Sequence, residues 1–300
     1  MTFAQRTRST WQLRTRSLAT GSRTLVMGVL NVTPDSFSDG GAFFNSETAI
    51  AHALSMLDEG ADIIDIGGES TRPGAQEITA QQEQDRVVPI LEAILRERPT
   101  SVLSIDTYKA ATAQAALAAG TEIVNDVSGF EWDPELPRFC AERRCGVILM
   151  HTRGRPGEWR AQPHLAQQEV VPLVMAGLAQ SLHTAIAAGI VRDRIVLDPG
   201  YGFGKAYDNN YPLLAHLDEL LALGQPLLAG VSRKSFLART LETTLGGSDR
   251  TSEPASDQRA NATLAATTAA ILAGASIVRV HDVRPAREAA AIADALLQSP

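Results

Sequence analysis

Eight short apolar runs, rich in β-branched residues, recur along this chain and constrain its fold more than any other feature. They cover residues 25–30, 62–66, 102–105, 122–124, 147–150, 195–197, 227–228 and 277–280. Short runs that are apolar on both faces suit parallel strands covered by helices. Helix signals lie between them, so strand and helix alternate eight times. That pattern favours an α/β chain closed into a (β/α)₈ (TIM) barrel over an open doubly wound sheet. The 300 residues, 44% of them hydrophobic, accommodate one barrel of roughly 250 residues with a short extension. The expected division is an N-terminal extension over 1–24 and a single barrel domain over 25–300.

The intervening segments carry local helix chemistry. Ser46 can cap a helix with Ile50, Leu54 and Leu57 on one face and Gly60 at its end. Thr79 with Gln82 forms a capping box ahead of Val87, Leu91 and Ile94, while Pro89 inside that pattern predicts a kink or break. An Ala-rich stretch over 259–273 stops at Gly274. In the extension, residues 11–18 alternate partly like a strand and 19–22 read as a turn, which predicts an N-terminal β-hairpin over the barrel floor. Its arginines and lack of acids could mimic an organelle transit peptide, but the hairpin is the preferred reading.

The net charge of −7 argues against a general binder of nucleic acid or anionic membranes. An anionic substrate would need a local cluster of positive groups. Lysine occurs only at 109, 205 and 234, and the last two lie in strand-end motifs. No apolar run approaches the roughly 20 residues a bilayer requires. Cys140 and Cys145 lack partners at metal-ligand spacing, so they read as reduced thiols and point to the cytoplasm.

Chemistry is expected where each strand ends, because the catalytic face of a parallel α/β barrel is at the carboxyl ends of its strands. In order, the runs are followed by Asn31, by 69–72, by Asp106, by Asn125 and Asp126, by His151, by Asp198 and by 232–234. Arg279 and His281 mark the eighth. One polar residue after a strand is usually a turn former or cap; eight together should converge on one pocket. Asp106, Asn125 and Asp198 supply acceptors suited to an amino-oxopyrimidine edge, since buried carboxylates need hydrogen-bonded partners. Arg279, His281 and Asn31 instead offer donors, as a phosphate requires. Lys234 could serve either end.

Two long loops, 31–41 and 67–75, are rich in Gly, Pro and small hydroxyls, as mobile lids often are. The run 198–205 faintly resembles a nucleotide phosphate loop, but Ala206 follows Gly204-Lys205 where Ser or Thr is required. Its glycines would instead let backbone approach a flat ligand, with Phe203 as a wall.

These segments together resemble the dihydropteroate synthase family. The resemblance rests on Met-Gly-Val-Leu-Asn-Val-Thr-Pro-Asp-Ser-Phe-Ser-Asp-Gly-Gly from Met27 and Asp-Ile-Gly-Gly-Glu-Ser-Thr-Arg-Pro-Gly from Asp65. Further on it rests on Ser-Ile-Asp-Thr from Ser104, Asn-Asp from Asn125 and Leu-Met-His from Leu149. It is completed by Leu-Asp-Pro-Gly-Tyr-Gly-Phe-Gly-Lys from Leu197, Ser-Arg-Lys-Ser from Ser232 and Arg-Val-His-Asp from Arg279. Tyr201 stands where the family often has Phe, a mild change in wall polarity. Residues 152–159 follow the family only loosely, and no role attaches to Arg153 or Arg155.

The resemblance implies condensation of 6-hydroxymethyl-7,8-dihydropterin diphosphate with p-aminobenzoate. It places the pterin on Asp106, Asn125, Asp198 and Lys234, with Met150, Phe203 and Gly230 as walls. It places p-aminobenzoate on Phe37, Thr71, Arg72, Pro73 and Ser232. Diphosphate falls to Asn31, Thr71, Arg72, Arg279 and His281, with Asn31 also a ligand of Mg²⁺. The residues acting on the reaction are then Asp35, Phe37, Lys234, Arg279 and His281. A homodimer without nucleic-acid or membrane partners is also implied. A methyltetrahydrofolate methyltransferase and a non-catalytic pterin-binding paralogue are the alternatives. The methyltransferase has no need of 232–234, 279–281 or the two loops, and degraded loops would have favoured the paralogue; all are intact here.

Overall fold

The structure is a computed structural model that describes residues 3–33, 42–70, 75–245 and 259–299, with the side chains of 42–45 and 245 excepted. Asp35, Phe37, Thr71, Arg72, Pro73 and the polar loop 246–258 therefore lie outside the described residues.

The chain opens with an antiparallel hairpin of β1 (Ser9–Gln12) and β2 (Ser17–Thr20). The barrel strands follow as β3 (Leu25–Asn31), β4 (Ile63–Gly67), β5 (Leu103–Asp106), β6 (Ile123–Asp126), β7 (Gly146–Met150), β8 (Ile195–Asp198), β9 (Leu228–Ala229) and β10 (Ile277–Val280). All are parallel, in the order β8-β7-β6-β5-β4-β3-β10-β9. The open edges meet at a parallel bridge between Leu197 and Leu227, beside which the Leu197 amide donates to the Pro226 carbonyl at 3.0 Å. The expected closed barrel is the observed one.

Around it run α1 (Ala42–Asp58), α2 (Ala80–Glu97), α3 (Ala110–Ala119), α4 (Leu136–Arg143), α5 (Gln167–Ala187), α6 (Asn210–Ala215), α7 (Ser235–Leu245), α8 (Ala260–Leu272) and α9 (Val283–Gln298). The Thr79–Gln82 capping box is present, with reciprocal bonds of 2.9 and 3.2 Å. The helix it opens is not broken by Pro89; one missing amide is outweighed by an apolar face that buries Val87, Ile90, Leu91 and Ile94. The first helix starts at Ala42, so Ser46 lies inside it rather than at its cap. The expectation that no apolar stretch approaches membrane length also needs amending. The 21-residue α5 passes that test by length and composition, but it buries Val170, Val174, Leu178 and Ala185 in the barrel's helix-side core.

Residues alternate inward and outward along each strand. Outward residues such as Val26, Ile64, Leu103, Val124 and Val278 join the helices in one core. Inward residues Leu25, Met27, Ile63, Val102, Ile123, Ile148, Val196, Leu228 and Ile277 form a second core with Trp11 and Leu13 of the hairpin. The hairpin therefore plugs the floor. It turns at 13–16, where the Leu13 amide meets the Arg16 carbonyl at 2.8 Å, so residues 11–18 are not one strand and 19–22 are not the turn. The plug is tied down by polar contacts: Trp11 Nε1 donates to the Arg194 carbonyl at 2.9 Å, and Arg194 donates back to the Leu13 carbonyl at 2.6 Å. Buried Glu122 accepts the Thr15 amide at 2.8 Å and faces Arg16 Nε at 3.4 Å.

Candidate active site

Counting on in twos from the floor residues names the inward positions at the opposite end. Ile63 leads to Asp65, Val102 to Asp106, Ile123 to Asn125, Ile148 to Met150, Val196 to Asp198, Leu228 to Gly230, Ile277 to Arg279, and Met27 to Asn31. Strand register aligns Asn31, Gly67, Asp106 and Asn125 directly across four neighbouring strands. A floor of aliphatic side chains thus gives way within one or two inward steps to a mouth of amides, carboxylates and a guanidinium.

The centre of that mouth is Arg279. Its Nε donates to Asp65 Oδ2 and its Nη2 to Asp106 Oδ2, both at 2.7 Å. Asn125 Nδ2 donates to the same Asp65 oxygen at 2.9 Å. Asp65 is fully buried, and its Oδ1 has no hydrogen-bond partner among the described residues. A methyl group on Gly230 would sit 3.9 Å from both Asp198 Oδ2 and Arg279 Cβ, so that glycine lies between the two. Asp198 Oδ1 accepts the Gly200 amide at 2.7 Å. A methyl on Gly67 would stand 3.5 Å from Asp106 Cβ and 3.8 Å from Asn31 Oδ1, which puts Asn31 beside Asp106.

The loop after β8 supplies one wall. Its glycines 200, 202 and 204 all have positive φ, at 69°, 85° and 68°, a conformation that favours glycine. Lys205 ties the loop together from within, donating to the carbonyls of Gly200 at 2.7 Å, His151 at 3.2 Å and Phe203 at 3.3 Å. The phosphate-loop likeness thus ends with an ammonium spent on structure. Phe203 carries the Lys234 Nζ at 4.0 Å from its ring centroid. The Lys234 side chain begins where Arg233 adopts φ 57°, a turn secured by the Arg233–Asp282 ion pair at 2.7 Å. Beside it, Ser232 Oγ and His281 Nδ1 lie 3.0 Å apart.

Burial and charge set the protonation of these groups. Burial pushes Asp106 up to about 7, against the pull of the Arg279 charge. Burial also raises Asp198, opposed by the Gly200 amide and by Lys234. Lys234 is lowered by burial to about 8, with Asp198 holding it from falling further. For Arg279, burial is outweighed by Asp65 and Asp106 together, so its charge is secured.

Two expected strand-end groups are not part of this mouth, and alternation explains both. His151 follows Met150 and points outward. It is buried against Gly177 of α5 and pushed down to about 3, first by burial and then by Lys205 and Arg153. Asp126 likewise points outward, where it accepts the amides of Ser128 at 2.8 Å and Phe130 at 2.7 Å. Glu69 also turns aside, into contact with Lys109 and with Tyr108 at 3.4 Å. Tyr201 is no wall residue. It lies in the helix-side core near Phe236, with its hydroxyl 3.5 Å from the Leu213 carbonyl. The residue that sequence reasoning missed is Asp65; the signal was a lone carboxylate inside an apolar strand, two residues on from an inward isoleucine.

A parallel barrel thus sets carboxylates and an amide around one arginine at the carboxyl ends of its strands, the face that carries the chemistry in enzymes of this architecture. The family model described as pterin binding enzyme matches residues 27–281. Dihydropteroate synthases of Bacillus subtilis (strain 168) and Synechocystis sp. are 40% and 42% identical over 281 and 277 residues. The alignments span 94% and 92% of this chain and 91% of each relative. The solved dihydropteroate synthase of Xanthomonas albilineans with 4-aminobenzoic acid superposes with TM-score 0.86 at 39% identity, covering 98% of this chain and 100% of that one. That of Yersinia pestis with a sulfonamide drug superposes with TM-score 0.84 at 40% identity, over 96% and 98%. The chain belongs to the dihydropteroate synthases of the pterin-binding family.

Proposed function

We propose that this mouth holds 6-hydroxymethyl-7,8-dihydropterin diphosphate and joins its methylene carbon to the amine of p-aminobenzoate, releasing diphosphate. The observation that carries the reading is the convergence of Asp106, Asn125, Asp198, Lys234 and Arg279, from five strand ends, on one opening above an apolar floor. A solved relative supports it: the dihydropteroate synthase of Xanthomonas albilineans in complex with 7,8-dihydropteroate.

Asp106, Asn125 and Asp198 receive the amino and ring N–H donors of the pterin, and Lys234 faces its carbonyl edge. Met150, Phe203 and Gly230 line the ring. Arg279 already spends Nε and Nη2 on Asp65 and Asp106, and among the described residues Nη1 has no partner. That nitrogen is the donor available to the departing diphosphate, with His281 and Asn31 alongside. Thr71 and Arg72 reach both the diphosphate and p-aminobenzoate, and Phe37, Pro73 and Ser232 complete the latter's site. Asp35 offsets positive charge as the carbon–oxygen bond breaks. The arylamine is neutral at pH 7, so attack requires no strong base. The residues act by position and fixed charge.

Among the described residues no cluster of three His, Cys, Asp or Glu could hold a metal alone. One hard amide oxygen, Asn31 Oδ1, stands at the mouth and makes no hydrogen bond to the described residues. That fits Mg²⁺, which keeps waters and is commonly shared between one or two protein ligands and substrate phosphates. When bound, it would neutralise charge on the leaving group. We further propose a cytoplasmic homodimer with residues 1–24 as extension and 25–300 as barrel domain.

The test is to mix the two substrates with Mg²⁺ and measure diphosphate and condensed product together. Equal amounts of both are expected. Diphosphate without a C–N product, or no release at all, would sink the reading; a methyltransferase gives neither.

A further inference from the structure

Phe203 has no regular structure to hold its ring. It sits between Gly202 and Gly204, both at positive φ, and its orientation is left to what touches it. One neighbour is the Lys234 ammonium at 4.0 Å from the ring centroid. Another is Trp159, whose ring stands at 87° to that of Phe203 with centroids 5.4 Å apart. Trp159 is itself fixed, because its Nε1 donates to the Gly154 carbonyl at 2.9 Å inside a short 3₁₀ turn over Pro156–Ala161.

Arg153 locks that turn to the Phe203 loop. Its Nη1 donates to the Gly204 carbonyl at 3.1 Å and its Nη2 to the Pro163 carbonyl at 3.0 Å. The fit is close: a methyl on Gly204 would stand 2.6 Å from Arg153 Cβ and 3.0 Å from Trp159 Cδ1.

We propose that Trp159 is a positioning residue: through its perpendicular contact it sets the Phe203 ring, and so fixes both the wall the pterin lies against and the place where Lys234 presents its charge. The inference rests on the pterin reading of the mouth. Trp159 acts only through its contact with Phe203, so its loss should loosen one substrate and spare the other. An edge-on aromatic contact of this kind contributes about three- to tenfold in an equilibrium.

The experiment compares wild type, Trp159→Leu and Trp159→Phe in steady-state kinetics, with calorimetric binding of the pterin diphosphate alone. In Trp159→Leu the KM and Kd for the pterin should rise about three- to tenfold, with KM for p-aminobenzoate and kcat within about twofold. Trp159→Phe keeps a ring without the Gly154 bond and should recover most of that loss. Equal losses for both substrates, a fall confined to kcat, or no rescue by Phe would overturn the proposal. If Trp159→Leu does not fold, Arg153→Met takes its place: the stem stays, the two carbonyl bonds go, and the same pterin-selective rise is required. Pterin bound equally by wild type and variants overturns this inference alone, whereas wild type that fails to bind pterin sinks the functional reading as well.

Discussion

The two ends of the barrel are built from the same strands and differ in almost every physical respect. At the floor, Ile63, Ile123, Ile148, Val196 and Ile277 close around Trp11 and Leu13 with their polar ties kept to the hairpin's rim. At the mouth, two residues further along those strands, stand Asp65, Asn125, Met150, Asp198 and Arg279. One inward step is about 6.6 Å of strand, and over that distance the environment passes from aliphatic packing to a buried ion network. The floor earns its stability by excluding water. The mouth spends some of it, since carboxylates held in a low-dielectric setting are costly until something pairs with them. Arg279 offsets part of that cost now, and a donor-rich ligand would offset more.

Separate roles for the two ends imply separable mutational effects. The largest effect is expected at the floor. Trp11→Ala empties the plug, and removing a buried Trp costs about 3–5 kcal/mol. Denaturant unfolding should show that loss while the pterin Kd of the folded fraction stays unchanged. A pterin affinity that falls in step with stability would mean that floor and mouth are one cooperative unit, and the comparison would break.

Next comes Arg279→Ala, which strikes the mouth. Loss of a donor aimed at developing charge typically lowers kcat by about 10²–10³. Asp65 would also be left buried without its cation. Single-turnover rates should therefore fall much further than pterin affinity, and thermal melting should show a separate loss of stability. A rate near that of wild type would remove Arg279 from the leaving-group role.

Asp198→Asn sharpens the contrast within the mouth. The amide turns donors toward the ligand's own donors, and leaving such a buried pair unmatched costs about 1–3 kcal/mol. Calorimetry with the pterin diphosphate should report that loss; unchanged affinity would refute the assignment of Asp198.

Protonation offers a milder probe. Asp106, raised to about 7 by burial, presents both oxygens as acceptors only when ionised and turns an O–H donor toward its surroundings when protonated, so pterin affinity should fall as pH drops below that value. Lys234, lowered to about 8 by burial, loses its charge as pH rises past that point. The Kd should therefore pass through a minimum between the two, changing about tenfold per unit on each side. Asp106→Asn should weaken binding and abolish the acidic limb. An acidic limb that persists in that variant would assign it to another group.

Much of this contrast was legible in the chain. The eight apolar runs were legible because strand and helix periods are local, and the polar residues that end them were legible because strands end where polarity returns. Asp65 was obscured by its setting, a single charge inside Ile63–Gly67 that reads as an ordinary apolar strand until its facing is known. His151 and Asp126 misled for the converse reason: being next to a strand end says nothing about which side of the sheet a side chain takes. Trp159 carried no local signal, since the ring it supports lies 44 positions away in sequence. Asp35, Phe37, Thr71, Arg72 and Pro73 fall outside the described residues.

Tyr201 should give the smallest effect, and for that reason it separates proximity to the mouth from membership in it. It follows Asp198 by three residues, and sequence order alone makes it a wall of the pocket. Its ring nevertheless lies in the helix-side core, stacked at 6.4 Å on Phe236, with a hydroxyl 3.5 Å from the Leu213 carbonyl. A bond that long is weak, and Tyr201→Phe removes the donor while keeping the ring. The carbonyl retains its second lone pair for other partners, so unfolding free energy should change by less than about 1 kcal/mol. The pterin Kd should not move at all. A shift in Kd with unchanged stability would place Tyr201 against the ligand after all, and would mean that the outward faces of the strand ends also contribute to the site.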